Sequence, residues 1–399
     1  MRFIDQLDLA GKRLLIRVDF NVPLDGGRIT DDNRIRQSMP TINFALEKGA
    51  SVILAAHLGK PKNGPDPKLS LAPVAKHLSG LLGRPVRLAP DSVGPEVQAL
   101  AQALKPGQVL MLENLRFHPE ETGKTPEKRG DYGKQLADLA DIYVGDAFGV
   151  VHRENASVVD APCRAKICCA GLLMKKEWEY LIDKLDAPKR PFVAVSGGAK
   201  VSTKLGVLNN LLGKVDDIII GGAMANTFLL AQGHAVGLSL VEPDLADAAR
   251  EILASAAHKG SALHLPVDLV LGRSPEDREA LGVCGLDEVP GDAMILDIGP
   301  ASVAAFGKVL KRAGTVVWNG PMGLFENPAF AQGSLKLCRV MAGLDKAVTM
   351  VGGGDTDAVV HQAGLAGAFD FISTGGGSFL EFMEGKELPG ITALKECAK

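Results

Sequence analysis

Short runs of apolar and mostly β-branched residues recur along this chain of 399 residues, and they alternate with segments whose apolar positions repeat at helical spacing. The runs predict strands over 13–20, 51–57, 108–114, 141–148, 191–197, 216–222, 268–272, 315–320, 347–354 and 369–374. Their centres are continuously apolar, which is typical of strands buried on both faces of a parallel sheet. Together with the intervening helical segments, they predict an α/β fold in which helices flank parallel sheets.

A helix expected over 171–186 marks a change in composition. Its apolar residues fall on one face at a period of 3.6, and they are Met174, Trp178, Leu181, Ile182 and Leu185. Residues 1–170 carry 23 basic and 20 acidic side chains, a formal charge of +3, whereas residues 171–399 carry 21 and 27, a charge of -6. We therefore place a domain boundary at this helix, and two α/β domains joined in this way predict a cleft that closes.

Composition excludes several classes of protein. Apolar residues make up 46% of the chain, which is enough for sizeable cores and rules out intrinsic disorder. The formal net charge of -3 lacks the basic surplus of a dedicated nucleic-acid-binding protein.

The 24 residues over 218–241 contain no Asp, Glu, Lys or Arg, but glycines and polar residues interrupt them. They predict a buried strand and a helix of a soluble domain rather than a membrane span.

The cysteines form no C-x-x-C pair and no ordered framework. There are six of them, Cys163, Cys168, Cys169, Cys284, Cys338 and Cys397. The first residues, MRFIDQLDLAGKR, contain no apolar signal segment. Both observations predict a cytoplasmic protein with buried, inert thiols.

Glycine is the compositional outlier, with 46 residues where an average usage of ~7% gives about 28. In the second half, four predicted strands run into a glycine-rich turn and then a helix start, at 196–200, 221–223, 352–356 and 374–378. Such turns let backbone N–H groups approach a ligand, and a helix N-terminus adds partial positive charge. Ligands of open parallel sheets bind beyond the carboxyl ends of the strands, so the four turns predict a phosphate-rich ligand.

Three charged residues near these turns each have two interpretations. Lys200 and Lys204 are four residues apart in the helix expected after Gly197 and Gly198, which places both ammonium groups on one face. They are either solvated surface lysines or point charges that neutralise phosphates. Asp355 opens a helix, where it serves either as an N-cap or as a ligand of Mg²⁺ held together with substrate phosphates.

The first half places basic side chains at or just past the predicted strand ends, namely Arg17, Arg34, Arg36, His57, Arg116, His118, His152 and Arg153. The guanidinium fork matches phosphate and carboxylate groups, although a surface ion pair is the alternative for any single arginine. Asp19 and Asn21 follow the first strand, where they can accept hydrogen bonds from ligand hydroxyls. The sequence contains no Walker A, G-x-G-x-x-G, H-E-x-x-H or G-x-S-x-G motif and no EF-hand loop.

Ten segments, in order along essentially the whole chain, resemble signature segments of the phosphoglycerate kinase family. In the first half they are RVDFNVP (17–23), DDNRI (31–35), HLGKP (57–61), LENLRF (112–117) and DAFGVVHR (146–153). In the second half they are GGAKVSTK (197–204), GGAMANTFL (221–229), WNGPMGLFE (318–326), GGGDT (352–356) and STGGGSFLE (373–381). The ordered set makes the resemblance highly specific, although each motif alone is not.

The resemblance implies a glycolytic enzyme that moves a phosphoryl group from 1,3-bisphosphoglycerate to ADP, with Mg²⁺ bound beside the nucleotide. It implies two similar-sized, Rossmann-like domains, with 1–170 binding 3-phosphoglycerate or 1,3-bisphosphoglycerate and 188–378 binding ADP or ATP. An interdomain helix at 171–187 joins them, and a C-terminal segment at 379–399 packs on the first domain. The family further implies a cytoplasmic monomer that binds neither nucleic acid nor membrane.

The resemblance also assigns roles to individual residues. Those implied at the phosphoglycerate are Asp19, Asn21, Arg34, His57, Lys60, Arg116 and Arg153. Those implied at the nucleotide are Lys204, Gly222, Asn319, Glu326, Gly353, Gly354, Asp355 and Thr356, with Asp355 also on the metal side. Those implied at the transferring phosphoryl group are Arg34, Lys200, Gly375 and Gly376.

The chain departs from the family pattern at three positions. Lys60 stands where the family usually has Arg, so the charge remains but the bidentate fork does not. Ala56 and Val150 stand where Ser and Thr are common. Two other classes share an α/β frame of this kind: a nicotinamide-dependent dehydrogenase, whose dinucleotide fingerprint is missing, and a catalytically silent scaffold on the same fold. The scaffold is disfavoured because Arg34, Lys200 and Asp355 are all present.

Overall fold

The computed structural model describes residues 1–62 and 64–397, and these divide into two compact units. Unit 1 consists of Met1–Ile182 and the C-terminal residues from Glu387 onward, and unit 2 consists of Asp183–Lys386. The helix expected over 171–186 is confirmed, and the division between the units falls within it. Its parts are Leu172–Trp178, a π-helical turn at Glu179–Asp183, and Lys184–Asp186.

Unit 1 is built on six parallel strands. In sheet order they are Val86–Leu88, Val109–Met111, Ser51–Ala55, Arg13–Val18, Ile142–Asp146 and Cys168–Ala170. Its α-helices are Asn33–Glu47, Ala72–Leu82, Pro95–Gln102, Pro126–Ala137, Ala161–Arg164, Leu172–Trp178 and Pro389–Glu396. The central strands are buried along almost their whole length, as expected for strands covered on both faces.

Unit 2 is built on a second six-stranded parallel sheet. In sheet order its strands are Ala262–His264, Asp217–Ile220, Phe192–Ser196, Thr315–Asn319, Val348–Gly352 and Phe371–Ile372. Its longer α-helices are Leu205–Leu211, Met224–Ala231, Ala246–Lys259, Pro300–Leu310, Gln332–Ala342, Gly354–Gln362 and Gly377–Met383. The strand order reverses between Phe192–Ser196 and Thr315–Asn319, and ligands of doubly wound sheets bind at such a reversal.

One part of unit 2 departs from the expected parallel arrangement. Residues Asp268–Gly272 are a strand, as predicted, but they pair antiparallel with Gly282–Gly285 and Met294–Ile298 in a separate three-stranded sheet. A continuously apolar run indicates burial but carries no information on the direction of the neighbouring strands, so the parallel assignment was wrong here.

The expected boundary of the C-terminal segment, at Phe379, falls inside the helix Gly377–Met383. Phe379 is fully buried, and the Met383 carbonyl accepts a hydrogen bond from Asn210 Nδ2 at 2.9 Å. This helix therefore belongs to unit 2, and the segment that clusters with unit 1 starts at Glu387.

The cysteines include one cross-link that the sequence did not predict. Cys163, in the short helix Ala161–Arg164, forms a disulfide with Cys397, which follows the helix Pro389–Glu396. The expectation of inert thiols is wrong for this pair, because cysteine spacing does not reveal a contact across 234 residues. The buried free thiols, whose pKa burial raises, are Cys168, Cys169 and Cys338.

The uncharged segment 218–241 folds as expected, since the strand Asp217–Ile220 leads into the helix Met224–Ala231. Both elements are almost entirely buried in unit 2. No helix within the described residues has the length and apolar character to cross a membrane.

Candidate functional site

The carboxyl ends of four adjacent strands in unit 1 bring basic and polar side chains together. These strands are Val109–Met111, Ser51–Ala55, Arg13–Val18 and Ile142–Asp146. The loops after them contribute Asp19, Asn21, His57, Arg116 and Arg153. Arg34 joins from the first turn of the helix Asn33–Glu47. The positive charges of Arg34, Arg116 and Arg153 all act on His57, which shows that these side chains share one region, here called the basic cluster.

Asp19 links the first of these loops to Arg34. Arg34 Nη1 donates to Asp19 Oδ2 at 2.7 Å, and the Asn21 N–H donates to Asp19 Oδ1 at 3.2 Å. The Gly59 N–H donates in turn to Asn21 Oδ1 at 2.8 Å. Asp19 is buried, whereas 43% of the Arg34 side chain is exposed. The carboxylate thus orients Arg34 through one nitrogen and leaves most of its fork facing outward.

Arg116 forms hydrogen bonds with a backbone carbonyl and a side-chain amide, and other arginines lie near it. Its Nη1 donates to the Gly59 carbonyl at 2.7 Å, and its backbone N–H donates to Asn114 Oδ1 at 3.1 Å. Burial and the positive charges of Arg153 and Arg17 lower the pKa of Arg116 to about 10. A bound anion would relieve this repulsion, so the cluster is suited to a ligand of high negative charge.

His57 lies in the basic cluster as a neutral ring. It is buried, and burial together with nearby arginines, of which Arg17 has the largest effect, lowers its pKa well below the usual range.

The sequence identified Arg17 only as one of several strand-end arginines, but the structure leaves it 1% exposed. Its position inside the apolar strand Arg13–Val18 was the available signal, because a charge in a buried strand requires partners.

Other basic residues singled out in the sequence lie elsewhere. His118 Nε2 pairs with Asp91 at 2.6 Å, and Arg36 Nε donates to Asp32 at 2.8 Å. The surface-ion-pair interpretation therefore holds for these two. Lys60 is exposed in the loop after Gly59, so its charge is available at the rim of the unit rather than in its interior.

In unit 2, glycines bring strand ends into direct backbone contact. The Gly197 N–H donates to the Asn319 carbonyl, and the Gly198 N–H donates to the Pro321 carbonyl, both at 3.0 Å. A Cβ on Gly197 would lie 2.1 Å from the Pro321 oxygen, and one on Gly222 would lie 2.6 Å from the Gly198 nitrogen. Only glycine permits this approach, and the result is a floor of backbone at the point where the strand order reverses, here called the glycine floor.

The two lysines after the glycine floor do not share a helix face, contrary to the prediction. Residues 198–204 form bends and turns, and the helix begins only at Leu205. The Thr203 hydroxyl donates to the Lys200 carbonyl at 2.9 Å, a local bond that competes with helix formation. Lys200 is exposed, whereas Lys204 is buried, and this burial lowers the Lys204 pKa to about 8.

Asp355 lies in the first turn of the helix Gly354–Gln362, and the N-cap of that helix is Gly353. The N-cap interpretation of Asp355 is therefore wrong. Its carboxylate is exposed, and its negative charge raises the pKa of Lys204 against the effect of burial. The two side chains consequently form one charged region at the edge of the glycine floor.

Asn319 and Thr356 support the loops of this region. Asn319 Nδ2 donates to the Gly352 carbonyl, and Thr356 Oγ1 accepts from the Gly320 N–H, both at 2.6 Å. Both residues are buried, so they hold the ends of two neighbouring strands at a fixed separation.

A cavity of about 230 Å³ opens beside the glycine floor. Its lining includes Gly222, Leu240, Leu269, Phe325, Glu326 and Asp355. The walls are largely apolar, and Glu326 is exposed at the surface. Apolar walls with a few polar groups at the rim suit a flat heterocycle that carries a polar sugar.

Two further glycine turns stand before helix starts, where backbone N–H groups lack intrahelical partners. Gly353 adopts a positive φ of 94° before Gly354–Gln362, and Gly376 adopts 42° before Gly377–Met383. The Gly375 N–H donates to Ser373 Oγ at 3.1 Å and is thus already engaged. Among the residues described, no group of three or more His, Cys, Asp or Glu side chains could hold a metal ion.

Comparisons with known proteins agree on one family. A sequence model of the family described as phosphoglycerate kinase matches residues 4–386. The chain is 68% identical to the phosphoglycerate kinase of Maridesulfovibrio salexigens over 396 residues, which are 99% of this chain and 100% of that protein. It is 52% identical to the phosphoglycerate kinase of Moorella thermoacetica over 393 residues, 98% of each.

Solved structures give the same result. The phosphoglycerate kinase from Coxiella burnetii superposes with a TM-score of 0.90 at 43% identity, covering 100% of this chain and 99% of the other. The phosphoglycerate kinase from Pyrococcus horikoshii superposes with a TM-score of 0.86 at 31% identity, with the same coverage. The similarity thus extends over both units.

Proposed function

The chain belongs to the phosphoglycerate kinase family and catalyses reversible phosphoryl transfer between 1,3-bisphosphoglycerate and ADP, and we propose that unit 1 binds the phosphoglycerate and unit 2 the nucleotide. The observation that carries this division is the contrast between the two candidate sites. Unit 1 gathers arginines around polar acceptors, whereas unit 2 combines a glycine floor, a buried lysine and an apolar cavity.

The basic cluster matches the chemistry of 3-phosphoglycerate, which carries a phosphate, a carboxylate and a hydroxyl group. Guanidinium forks bind the two anions, and carboxylate or amide oxygens accept from the hydroxyl. We assign this substrate to Asp19, Asn21, Arg34, His57, Lys60, Arg116 and Arg153. Lys60 contributes charge without a bidentate fork, so its contact is the least specific of the set.

The cavity of unit 2 matches a nucleoside diphosphate. The base lies between apolar walls, Glu326 accepts hydrogen bonds from ribose hydroxyls, and Lys204 neutralises phosphate charge. We assign the nucleotide to Lys204, Gly222, Asn319, Glu326, Gly353, Gly354, Asp355 and Thr356. Within this set, Asn319 and Thr356 act by fixing the loops.

Mg²⁺ enters as part of the nucleotide substrate, and Asp355 is the residue we assign to it. Protein-bound Mg²⁺ typically uses one or two carboxylates together with substrate phosphates. Asp355 supplies one exposed carboxylate, near enough to Lys204 to raise its pKa. This donor set fits an ion held mainly by phosphate oxygens, whose negative charge it neutralises when bound.

The transfer itself needs positioning and charge neutralisation. The attacking oxygen is anionic in both directions, so no general base is required. Arg34 and Lys200, both exposed, neutralise the oxygens of the migrating phosphoryl group. At the start of the helix Gly377–Met383, Gly376 supplies a backbone N–H to the phosphoryl group. Gly375 does not, because its N–H already donates to Ser373 Oγ.

Transfer also requires the reacting atoms to approach to about 3–3.5 Å. Because the two substrates bind to separate units, binding of both favours the state in which Arg34 and Lys200 reach the same phosphoryl group. Small-angle scattering tests this step. The radius of gyration is expected to fall only when both substrates are present, and an unchanged value would contradict the proposal.

We further propose that the enzyme works as a cytoplasmic monomer on small molecules, without nucleic acid or membrane as a partner. The formal net charge of -3 supports the absence of a nucleic-acid partner, and the resemblance to the family supports the rest. Size-exclusion chromatography with light scattering should give a mass near the 41.9 kDa of one chain. A larger mass would contradict the monomer.

Calorimetric titration of each substrate separately tests the division between units. Arg153→Gln should weaken binding of 3-phosphoglycerate and leave ADP binding unchanged, and Glu326→Gln should do the reverse. Each variant is the control for the other. The same loss for both ligands in either variant would overturn the assignment.

A further inference from the structure

A buried chain of polar groups connects Glu121 to His57 beneath the basic cluster of unit 1. The Ser157 hydroxyl donates to Glu121 Oε1 at 2.6 Å, and the Ser157 N–H donates to Glu121 Oε2 at 2.9 Å. Arg17 Nε donates to Ser157 Oγ at 2.9 Å, and Arg17 Nη2 lies 3.3 Å from His57 Nδ1. None of the four residues is more than 2% exposed.

The guanidinium nitrogens of Arg17 already have partners within the protein. Besides Ser157 and His57, it contacts the Val18 carbonyl through Nη1, and Nη2 lies 3.9 Å from Glu121. A buried guanidinium is stable only with such a set of partners, because both its charge and its donors are removed from water. Arg17 is therefore placed to act on its neighbours rather than to bind a substrate anion directly.

The contact between Arg17 and His57 fixes the proton on the imidazole. A guanidinium has only donors, so His57 Nδ1 must be the acceptor and cannot carry a hydrogen. The ring is neutral, because burial and the charges of Arg17, Arg116, Arg153 and Arg34 oppose its protonation. A neutral ring without a proton on Nδ1 carries it on Nε2. Within residues 1–62 and 64–397, no hydrogen bond engages this Nε2–H group, which leaves it for a ligand.

We propose that Arg17 is a positioning residue that holds His57 as the neutral Nε2–H tautomer, so that His57 donates a hydrogen bond to 3-phosphoglycerate. Glu121 and Ser157 hold Arg17 in the required orientation. The inference rests on the proposed assignment of His57 to the phosphoglycerate site. It adds three residues outside that site, Arg17, Glu121 and Ser157, to the set that determines affinity for this substrate.

Ser157→Ala tests the inference most cleanly, because it removes neither a charge nor a residue of the proposed site. ¹⁵N NMR of the histidine-labelled full-length enzyme should show a single Nε2–H tautomer for His57 in the wild type and loss of that single form in the variant. The KM for 3-phosphoglycerate should rise about tenfold, as when one charge-assisted hydrogen bond is weakened. Both kcat and the KM for ATP should change less than twofold.

Ser92→Ala is the matched control. Ser92 is also a fully buried serine of unit 1, and its Oγ lies 2.8 Å from the Tyr132 hydroxyl, not from Arg17. This variant should leave the His57 tautomer and the KM for 3-phosphoglycerate unchanged. Glu121→Gln, which is nearly isosteric, should reproduce the Ser157→Ala effect and serves if that variant does not fold.

Two results would overturn the positioning role: a wild-type His57 that is protonated on Nδ1 at pH 7, or a Ser157→Ala enzyme with the wild-type tautomer and KM. His57→Gln separates this failure from a failure of the site assignment. If His57→Gln raises the KM but Ser157→Ala does not, only the positioning role is lost. If His57→Gln leaves the KM unchanged, His57 does not contact the substrate, and the inference is lost with the assignment.

Discussion

Arg34 Nη1 donates to Asp19 Oδ2 at 2.7 Å, and this contact joins the start of the helix Asn33–Glu47 to the loop after the strand Arg13–Val18. The pair is partly exposed, so its contribution to stability is about 1 kcal/mol or less. Its importance lies in orientation, because the carboxylate holds one nitrogen of the fork and directs the rest outward. Loss of Arg34 should therefore affect the rate of phosphoryl transfer more than the stability of the fold.

Replacing Arg34 by alanine should therefore remove most of kcat and keep the fold. Loss of one donor to a developing anion typically lowers the rate about 10²–10³-fold. Thermal unfolding should change little, since 43% of the side chain is exposed. Arg36→Ala is the control, because Arg36 lies on the same helix and pairs only with Asp32 among the contacts described. An Arg34→Ala enzyme with more than half the wild-type kcat would contradict the assignment.

Lys204 should make nucleotide binding depend on pH. Burial lowers its pKa to about 8, and a bound phosphate favours the charged form and raises this pKa again. Binding of ADP near pH 8 should therefore take up protons, and affinity should fall as the pH rises above 8. Calorimetry in buffers of different ionisation enthalpy measures the uptake. Lys204→Met should abolish the uptake, and wild-type binding without proton uptake would exclude the role.

Asp146 should make the stability of unit 1 depend on pH. Its Oδ1 accepts from the N–H groups of Leu173 and Met174 at 3.1 and 3.3 Å, and burial raises its pKa from 3.8 to about 7. The folded state therefore binds the proton more tightly than the unfolded state. Stability from this group is complete below pH 3.8 and is lost as the pH rises toward about 7.

Asp146→Asn removes this titration and keeps an acceptor for the helix N–H groups. Relative to the wild type, the melting temperature of the variant should increase progressively between pH 4.5 and 7 and then level off. Asp138→Asn, which removes an exposed carboxylate of the same unit, is the control. A difference for Asp146→Asn that stays constant across this range would refute the account.

The disulfide should be detectable by counting thiols. Of the six cysteines, Cys163 and Cys397 are linked, which leaves four free. Denatured, non-reduced protein should therefore titrate four thiols, and reduced protein should titrate six. Cys397→Ser should titrate five without reduction, because Cys163 is then released. Six thiols in the non-reduced wild type would show that the bond does not form.

The sequence predicted nine of the twelve strands in the two parallel sheets, because their buried centres carry a strong local pattern. It missed three short edge strands, Val86–Leu88, Cys168–Ala170 and Ala262–His264. It also placed Asn21, His57, Arg116 and Arg153 at or just past strand ends, and the carboxyl ends of neighbouring parallel strands lie at one edge of the sheet. That argument uses only the position of each residue in its strand. It does not require knowledge of the side-chain contacts.

Features that depend on contacts between distant residues were not accessible in this way. The burial of Arg17 depends on Glu121 and Ser157, which are far away in the sequence. The different environments of Lys200 and Lys204 depend on the turns before Leu205, where the Thr203 hydroxyl donates to the Lys200 carbonyl. The antiparallel pairing of the strand Asp268–Gly272 was not predictable either, because burial alone does not specify the direction of the neighbouring strands.

The central claim is that charged groups on separate units act on one migrating phosphoryl group, and Lys200 tests it most directly. A coupled spectrophotometric assay with 3-phosphoglycerate and MgATP should show kcat reduced about 10²–10³-fold in Lys200→Ala. Calorimetry should show that this variant still binds ATP, because Lys200 is exposed and apart from the cavity lining. A Lys200→Ala enzyme that keeps more than half of the wild-type kcat would contradict the claim.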